Sequence, residues 1–391
     1  MGDTRTEDRH RAIERYRQGE CPASICASMG YSRRWFYKWL KRADDSTEEW
    51  ASDQSRRPHQ TPTRSSHEIE QIVTLVRLSL YNRGLFCGAQ AIRWELEDLA
   101  ITPLPSPRTI NRLLARNDLT HRRTGRYKAK GTPYPRVVGT QPGDVHQTDF
   151  VGPCYLTGPV RFYSLHSVDV VTGRCAVAPL GQRAGQHTVN ALWATWTRLG
   201  LPRHQQVDNE MVFYGSPAYP RGMGLLIRLG LPLGIEPWFI PPAEPWRNGV
   251  VEKFNDHWRQ KFLTRTPMGS MAELKRESLH FEQRHNSHYR YSKLGGKTPG
   301  AALAASGIAL RFPPTPEAPQ VPLPKPRTGR YHLVRLIRSD GRLDVFGETF
   351  PVPPETIYGY VRATVDVERQ RLGVYLDDRL VDEHPYSLQR D

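Results

Sequence analysis

No apolar run in this 391-residue chain approaches the roughly 20 residues that a membrane-spanning helix needs. The N-terminus, MGDTRTEDRHR, has no hydrophobic signal segment. A soluble, intracellular protein with no membrane partner is expected. Cysteine is scarce: Cys21, Cys26, Cys87, Cys154 and Cys175 form no Cys-x-x-Cys pair and no Cys/His knuckle. That argues against a structural zinc site built on cysteine, and the odd count reads as buried thiols in a reducing compartment. Negative charge is also short. Against 55 Lys+Arg stand 40 Asp+Glu, leaving a formal net charge of +15. Such an excess suits a polyanion, nucleic acid foremost and an acidic membrane surface second.

What is present falls into blocks. RHRAIERYRQG, CPASICASMG and SRRWFYKWLKR read as three short helices, the third opened by Ser32. Two helices, a Gly-containing turn and a basic third helix suggest a helix-turn-helix over residues 1–45. On that third helix Trp35, Phe36, Trp39 and Leu40 would pack inward, leaving Arg33, Arg34, Lys38, Lys41 and Arg42 for DNA. Residues 46–66 are polar and Pro/Ser-rich, a linker. The helical pattern then repeats over 67–120, with Ser106 and Pro107 opening a helix that exposes Arg108, Thr109 and Arg112. It reads as a second helix-turn-helix. A basic, Gly/Pro-broken connector covers 121–140.

From residue 141 the character changes to alternating strand and helix patterns, an α/β domain with mixed pairing that runs with its helical extension to 305. Residues 306–328 are a Pro-rich linker. The tail, 329–391, alternates with turn signals such as Asp340-Gly341 and predicts a small antiparallel barrel. In EPWRNGVVEKFNDHWRQKF, Phe254, Trp258 and Phe262 recur every four residues and should face a core. Glu252 lies off that stripe, beside Asn255, Asp256 and Arg259. Alone, it is an ordinary acid in a helix's first turn.

Two other acids change that reading. Asp149 closes the first predicted strand (HQTDF) and Asp208 the fourth (QQVDN). Three carboxylates delivered to one place repel unless cations neutralise them. Two Mg²⁺ ions about 4 Å apart would serve an oxygen nucleophile and a leaving oxygen of a phosphodiester, and hard oxygen ligands favour Mg²⁺ or Mn²⁺ over zinc. Asp169, Asp144 and Glu244 read as turn and loop acids. His146 and His257 read as structural neighbours of the site.

TDF, VDN and NGVVEKFN, in that order, resemble the catalytic domain of DDE transposases and retroviral-type integrases. HNSHYRYSKLGGKTPGAAL resembles the segment after the catalytic helix in bacterial insertion-sequence transposases, at Asn286, Leu294, Gly295, Gly296, Thr298 and Pro299. The resemblance implies a multidomain protein: N-terminal all-α helix-turn-helix modules, a ribonuclease-H-like α/β core at 141–305 and a C-terminal small β-barrel. It also implies that Asp149, Asp208 and Glu252 are the metal-binding catalytic carboxylates. The implied activity is cleavage at 3′ ends of an element and transfer of the 3′-OH into target DNA, by a homo-oligomer on double-stranded DNA in a bacterial cytoplasm or nucleoid. A helper ATPase stays open as a further partner. Two departures stand out. Forty-three residues separate Asp208 from Glu252, more than the family's usual spacing, and Glu210 replaces a usual glycine. Arg247 and Lys253, flanking Asn248-Gly249, are further candidate DNA contacts, as is Trp246. The competing readings are a DNA-binding regulator without chemistry and a nuclease of the same fold that does not join.

Overall fold

The computed structural model describes residues 4–45, 50–53, 65–120, 133–216, 218–219 and 221–388. Most of the expected 46–66 linker and residues 121–132 of the expected basic connector lie outside them. The chain divides into two compact units, residues 1–65 and 66–391. Among the described residues no helix is long and apolar enough to cross a membrane.

The first unit holds α1 (Thr4–Arg17), α2 (Pro22–Met29) and α3 (Arg33–Asp45). Pro22 opens α2 and Gly30 closes it at φ 74°, a left-handed conformation that glycine adopts freely. Ser32 Oγ then accepts the Trp35 N–H at 3.2 Å and caps α3. Ala12, Ile13, Ile25, Cys26 and Phe36 are buried between the helices. Arg9 lies over the Trp39 ring at 3.9 Å and donates to Ala51 O at 2.6 Å, fastening residues 50–53 onto the bundle.

The second unit opens with α4 (His67–Asn82), α5 (Ala89–Asp98) and α6 (Pro107–Arg116). Ser66 and Ser106 cap α4 and α6 by accepting the N–H groups of Ile69 and Thr109. Val73, Ile92, Leu96 and Ile110 pack together with Tyr289, so this helical group shares a core with the chain that follows the sheet.

The sheet is built from β1 (Val145–Tyr155), β2 (Arg161–Asp169), β3 (Cys175–Leu180), β4 (His204–Val207) and β5 (Glu236–Phe239), with β6 (Arg330–Leu336), β9 (Tyr360–Asp366), β10 (Arg371–Leu376) and β11 (Arg379–Pro385) continuing it. Strands β7 (Arg342–Val345) and β8 (Glu348–Pro351) form a separate hairpin. The nine-stranded order is β11-β10-β9-β6-β5-β4-β1-β2-β3. Strands β1, β2 and β3 are antiparallel neighbours, and β1, β4 and β5 are parallel ones. This is the expected mixed pairing. One face carries α7 (Gly185–Leu199) with α8 (Met211–Tyr214) and α9 (Leu225–Gly230); Phe150, Leu192, Trp196, Phe213 and Ile227 fill that layer. The other carries α10 (Gly249–Trp258), a π-helical turn (Arg259–Leu263) and α11 (Met271–His288). Val251, Phe254, Trp258 and Phe262 meet Phe162, Val177 and Phe281 there, so the four-residue stripe faces the core.

The long stretch between Asp208 and Glu252 contains α8 and α9. Gly224 allows it to fold tightly, since a Cβ there would fall 2.3 Å from Phe213 O. The Gly-Gly-Thr-Pro segment docks on α5. A Cβ at Gly296, φ 84°, would meet the Trp94 ring at 2.9 Å, and Thr298 caps α12 (Pro299–Ser306). Asn286 bonds both backbone groups of Cys175 at 2.9 Å on the outermost strand.

The expected separate small barrel is not found as such. Strand β6 pairs in parallel with β5 at Trp238↔His332 and Phe239↔Leu333, so the C-terminal strands extend the core sheet. Leu333, Val361, Ala363 and Val374 share one hydrophobic cluster with Leu226 and Phe239. The Pro-rich segment lies along α7, held by Trp193 Nε1–H donating to Thr315 O at 3.0 Å and Gln186 Nε2–H to Pro319 O at 2.9 Å.

Candidate active site

Successive residues of a strand point to opposite faces, so Gln147, Asp149 and Val151 of β1 point toward α10 while Thr148 and Phe150 point toward α7. Asp149 does not close its strand. It sits mid-strand opposite His166 of β2, because β1 continues to Tyr155 past a bulge between Val151 and Cys154. Asp208 directly follows β4, and Glu252 lies in the first turn of α10.

Polar contacts fix α10 against β1 and β4. Gln147 Oε1 accepts the backbone N–H groups of Val250 at 2.8 Å and Val251 at 3.2 Å, satisfying donors that a helix start leaves open. Asn248 Nδ2 donates to Thr148 O at 3.1 Å, and its Oδ1 accepts from Gln206 Nε2 at 3.3 Å. Gln206 also donates to Arg247 O at 3.0 Å. Asn248, just before α10, therefore ties the helix carrying Glu252 to β1, which carries Asp149, and to β4, which Asp208 follows.

Asn255 Nδ2 donates to Asp149 Oδ2 at 2.8 Å, and Asn255 Oδ1 lies 2.7 Å from His166 Nδ1. With the amide so oriented, His166 carries its proton on Nδ1. Burial pushes His166 down to about 3, so it is neutral and serves as a donor. Sequence reasoning placed Asn255 beside Glu252 but missed this relay, as it missed Gln147, Gln206 and the pinning role of Asn248. The available signal was a polar residue two positions before Asp149 on the same strand face. Asn255→Ala should release one oxygen of Asp149, and losing such an orienting partner lowers metal affinity or activity by about 10–100-fold. Titration with Mn²⁺ and single-turnover cleavage would measure both.

The site is acidic. Burial raises Asp149, and Glu252, Asp208 and Glu210 raise it further in that order, to about 7. Burial also raises Asp208, and it raises Glu252 with Asp256 adding to it. Glu210 donates its N–H to Asp208 Oδ1 at 3.2 Å, while its own carboxylate pairs with Arg183 at 2.5 Å. The turn accommodates Glu210, whose charge Arg183 balances. The Asp149, Asp208 and Glu252 carboxylates do not all approach within 4.8 Å of one another; among the described residues His204, Glu236 and His332 form the one three-residue group that does. The donor set of Asp149, Asp208 and Glu252 is all oxygen, which suits hard divalent cations, although Arg183 acts on Asp208 and Arg259 on Glu252.

Arg247 departs from expectation. Its guanidinium is buried, paired with Glu244 and held 3.8 Å from the Tyr134 ring and 4.6 Å from the Tyr360 ring. That gives it a packing role between the two rings. Trp246 is 54% exposed, and Lys253 is exposed on α10. Arg33, Arg34 and Lys38 are exposed on α3, and Arg108 and Arg112 on α6, where Thr109 is half-buried and bonds Ser106. Asp169 is a turn residue: it accepts from Thr172 N–H at 2.7 Å and Gly143 N–H at 2.8 Å. Burial pushes His146 to about 4, and its Nε2 lies 3.8 Å from Asp169 Oδ2. His257 packs on Phe86, ring centres 5.0 Å apart.

Two families match parts of the chain: a homeodomain-like domain over residues 3–48 and an integrase core domain over 233–299. The second match contains Glu252; Asp149 and Asp208 lie outside it. Among solved structures, the simian T-cell lymphotropic virus intasome in complex with PP2A regulatory subunit B56 gamma is similar at 16% identity over 81% of this chain and 97% of that one, TM-score 0.36. The HTLV-2 integrase catalytic core domain in complex with magnesium is similar in its trimeric form at 18% identity, over 42% of this chain and 98% of that one, TM-score 0.33. Its dimeric form gives 20% identity over 41% and 97%, TM-score 0.32. A homeodomain-like domain and an integrase core domain thus match within one polypeptide.

Proposed function

We propose that the protein is a DNA transposase or integrase whose catalytic carboxylates are Asp149, Asp208 and Glu252. The observation carrying this reading is that Asp149 is pushed up to about 7, by burial first and then by Glu252 and Asp208, so that ionising it there costs free energy unless cations are held beside it. These three residues would hold two divalent ions, Mg²⁺ or Mn²⁺, which when bound supply activation of an oxygen nucleophile and stabilisation of the leaving oxygen. The chain's own residues do the rest. Gln147 and Asn248 fix the start of α10, Asn255 with His166 orients Asp149, and Arg183 holds Glu210 aside from the carboxylates it adjoins. Water attacks the phosphodiester at an element end, breaking its P–O3′ bond and freeing a 3′-OH; that hydroxyl then attacks a target phosphodiester, whose own P–O3′ bond breaks and whose 3′ oxygen leaves as a hydroxyl, with no covalent enzyme intermediate.

In this reading Arg33, Arg34 and Lys38 of α3, and Arg108, Thr109 and Arg112 of α6, grip element ends, with Lys253 and Trp246 touching DNA nearer the carboxylates. Joining two ends requires at least two protomers. Nothing observed supports a helper ATPase, and the reading does not include one. Replacing Arg33, Arg34 and Lys38 together by alanine should weaken DNA binding and flatten its log–log salt dependence by roughly 2–3, since each lost phosphate contact removes about 0.9. Fluorescence anisotropy across a salt series reads both.

The test of activity is incubation of full-length protein with DNA carrying the element's ends, a plasmid target and Mg²⁺ or Mn²⁺. Cleaved and joined product is expected. Cleavage without joining would point to the nuclease, and end binding without chemistry in either metal to the regulator.

A further inference from the structure

The group of His204, Glu236 and His332 lies apart from the candidate active site and is used by nothing described so far. His204 opens β4, Glu236 opens β5 and His332 is the third residue of β6, three neighbouring strands of the sheet. Asp208 follows the other end of β4, four residues on, or roughly 13 Å at strand rise. His332 Nε2 is 3.1 Å and His204 Nδ1 3.4 Å from the same oxygen, Glu236 Oε2. One oxygen thus faces two ring nitrogens. His204 Nδ1 is buried with no hydrogen-bond partner, a costly state for a polar atom. On the far side of the other ring, His332 Nδ1 lies 3.0 Å from Thr364 Oγ1. A proton on that nitrogen would leave Nε2 bare toward Glu236, the arrangement by which a neighbouring group fixes a ligating histidine. Trp238 covers the pair, its ring centre 4.8 Å from that of His332.

We propose that His204, Glu236 and His332 form a second metal site, distinct from the three carboxylates, that takes one borderline transition-metal ion of the Zn²⁺ class. Two imidazoles and one carboxylate match that ion's ligand preference, whereas all-oxygen donors match Mg²⁺. Glu236 is 33% exposed, so solvent can reach the site and supply a fourth ligand. The ion would bind across β4, β5 and β6 where the backbone ladder between β5 and β6 spans only two residue pairs. It would act as a clip that fastens the C-terminal strands to the catalytic sheet, and its loss would loosen that seam.

The full-length protein, stripped with chelator, is titrated with Zn²⁺ by calorimetry and with Co²⁺ by visible absorption. One Zn²⁺ per chain and a Co²⁺ ligand-field spectrum are expected, with the thermal midpoint raised by Zn²⁺. Both signals should persist in Asp149→Asn and fall by about tenfold or more in affinity in His332→Gln and His204→Gln. Glu236→Gln, which keeps the shape of the side chain, guards against misfolding of the histidine variants and should show the same loss. Absence of Zn²⁺ uptake in the wild type, or uptake unchanged in all three variants, would overturn the proposal and leave the group a hydrogen-bonded network.

Discussion

Asp149→Asn should abolish DNA joining and at the same time make the metal-free protein harder to unfold above neutral pH. The carboxyl is held at about 7 in the folded chain against an ordinary value of 3.8. The folded state therefore binds that proton more tightly than the unfolded state does. The resulting stabilisation is full below pH about 4, drains away as pH rises toward 7, and above that leaves a buried anion beside Glu252 and Asp208. Asparagine keeps the shape and removes the charge. Discounted for the partial exposure of Asp149 and for its coupling to neighbouring acids, the gain at pH 8 is on the order of 1–3 kcal/mol. Urea denaturation in chelator at pH 5 and pH 8 checks it: the variant and wild type should differ at pH 8 and converge toward low pH. Adding Mg²⁺ or Mn²⁺ should close the gap, because cations bound to the folded wild type stabilise it by mass action. Activity moves the opposite way. Losing a ligand contribution of several kcal/mol lowers the rate by about 10³-fold or more.

The largest loss of stability should follow Trp258→Ala. The indole is fully buried, ring centres 4.7 Å from His166, 5.7 Å from Phe262 and 6.5 Å from Phe162. Its Nε1 makes no hydrogen bond, so the change is chiefly one of packing and cavity. Removing a buried tryptophan costs about 3–5 kcal/mol. Calorimetry or urea denaturation would measure it, with Trp258→Phe expected to lose less than half as much. Because α10 carries Glu252 and Asn255, and His166 rests against this indole, joining should fall further than the remaining folded fraction explains. A variant that unfolds as the wild type does would mean that α10 is held by its polar N-terminus alone.

How much of this could be read from residues alone depends on the range of the interaction. The stripe of Phe254, Trp258 and Phe262 is local periodicity, and it faces the core as expected. Helix starts at Ser32 and Ser106 are local too, since each cap bonds an N–H three residues ahead. The enclosure of Arg247 is not legible locally because its partners come from afar. Beside Asn-Gly it looks like a DNA contact, but Tyr134 and Tyr360, distant in sequence on either side, enclose it. The C-terminal strands were legible by alternation, yet alternation does not name a strand's neighbour, and β6 joins β5 across 90 residues of chain. Likewise Gln147 looked like any polar strand residue until the N–H groups of Val250 and Val251 were seen to need it.

Crystals of the full-length protein soaked in Mn²⁺ and measured at the manganese edge would test the central claim most directly. The account predicts anomalous peaks among Asp149, Asp208 and Glu252 that disappear in Glu252→Gln crystals, while the homeodomain-like unit still binds DNA. Manganese bound elsewhere, with no peak at these carboxylates at concentrations that support joining, would contradict it.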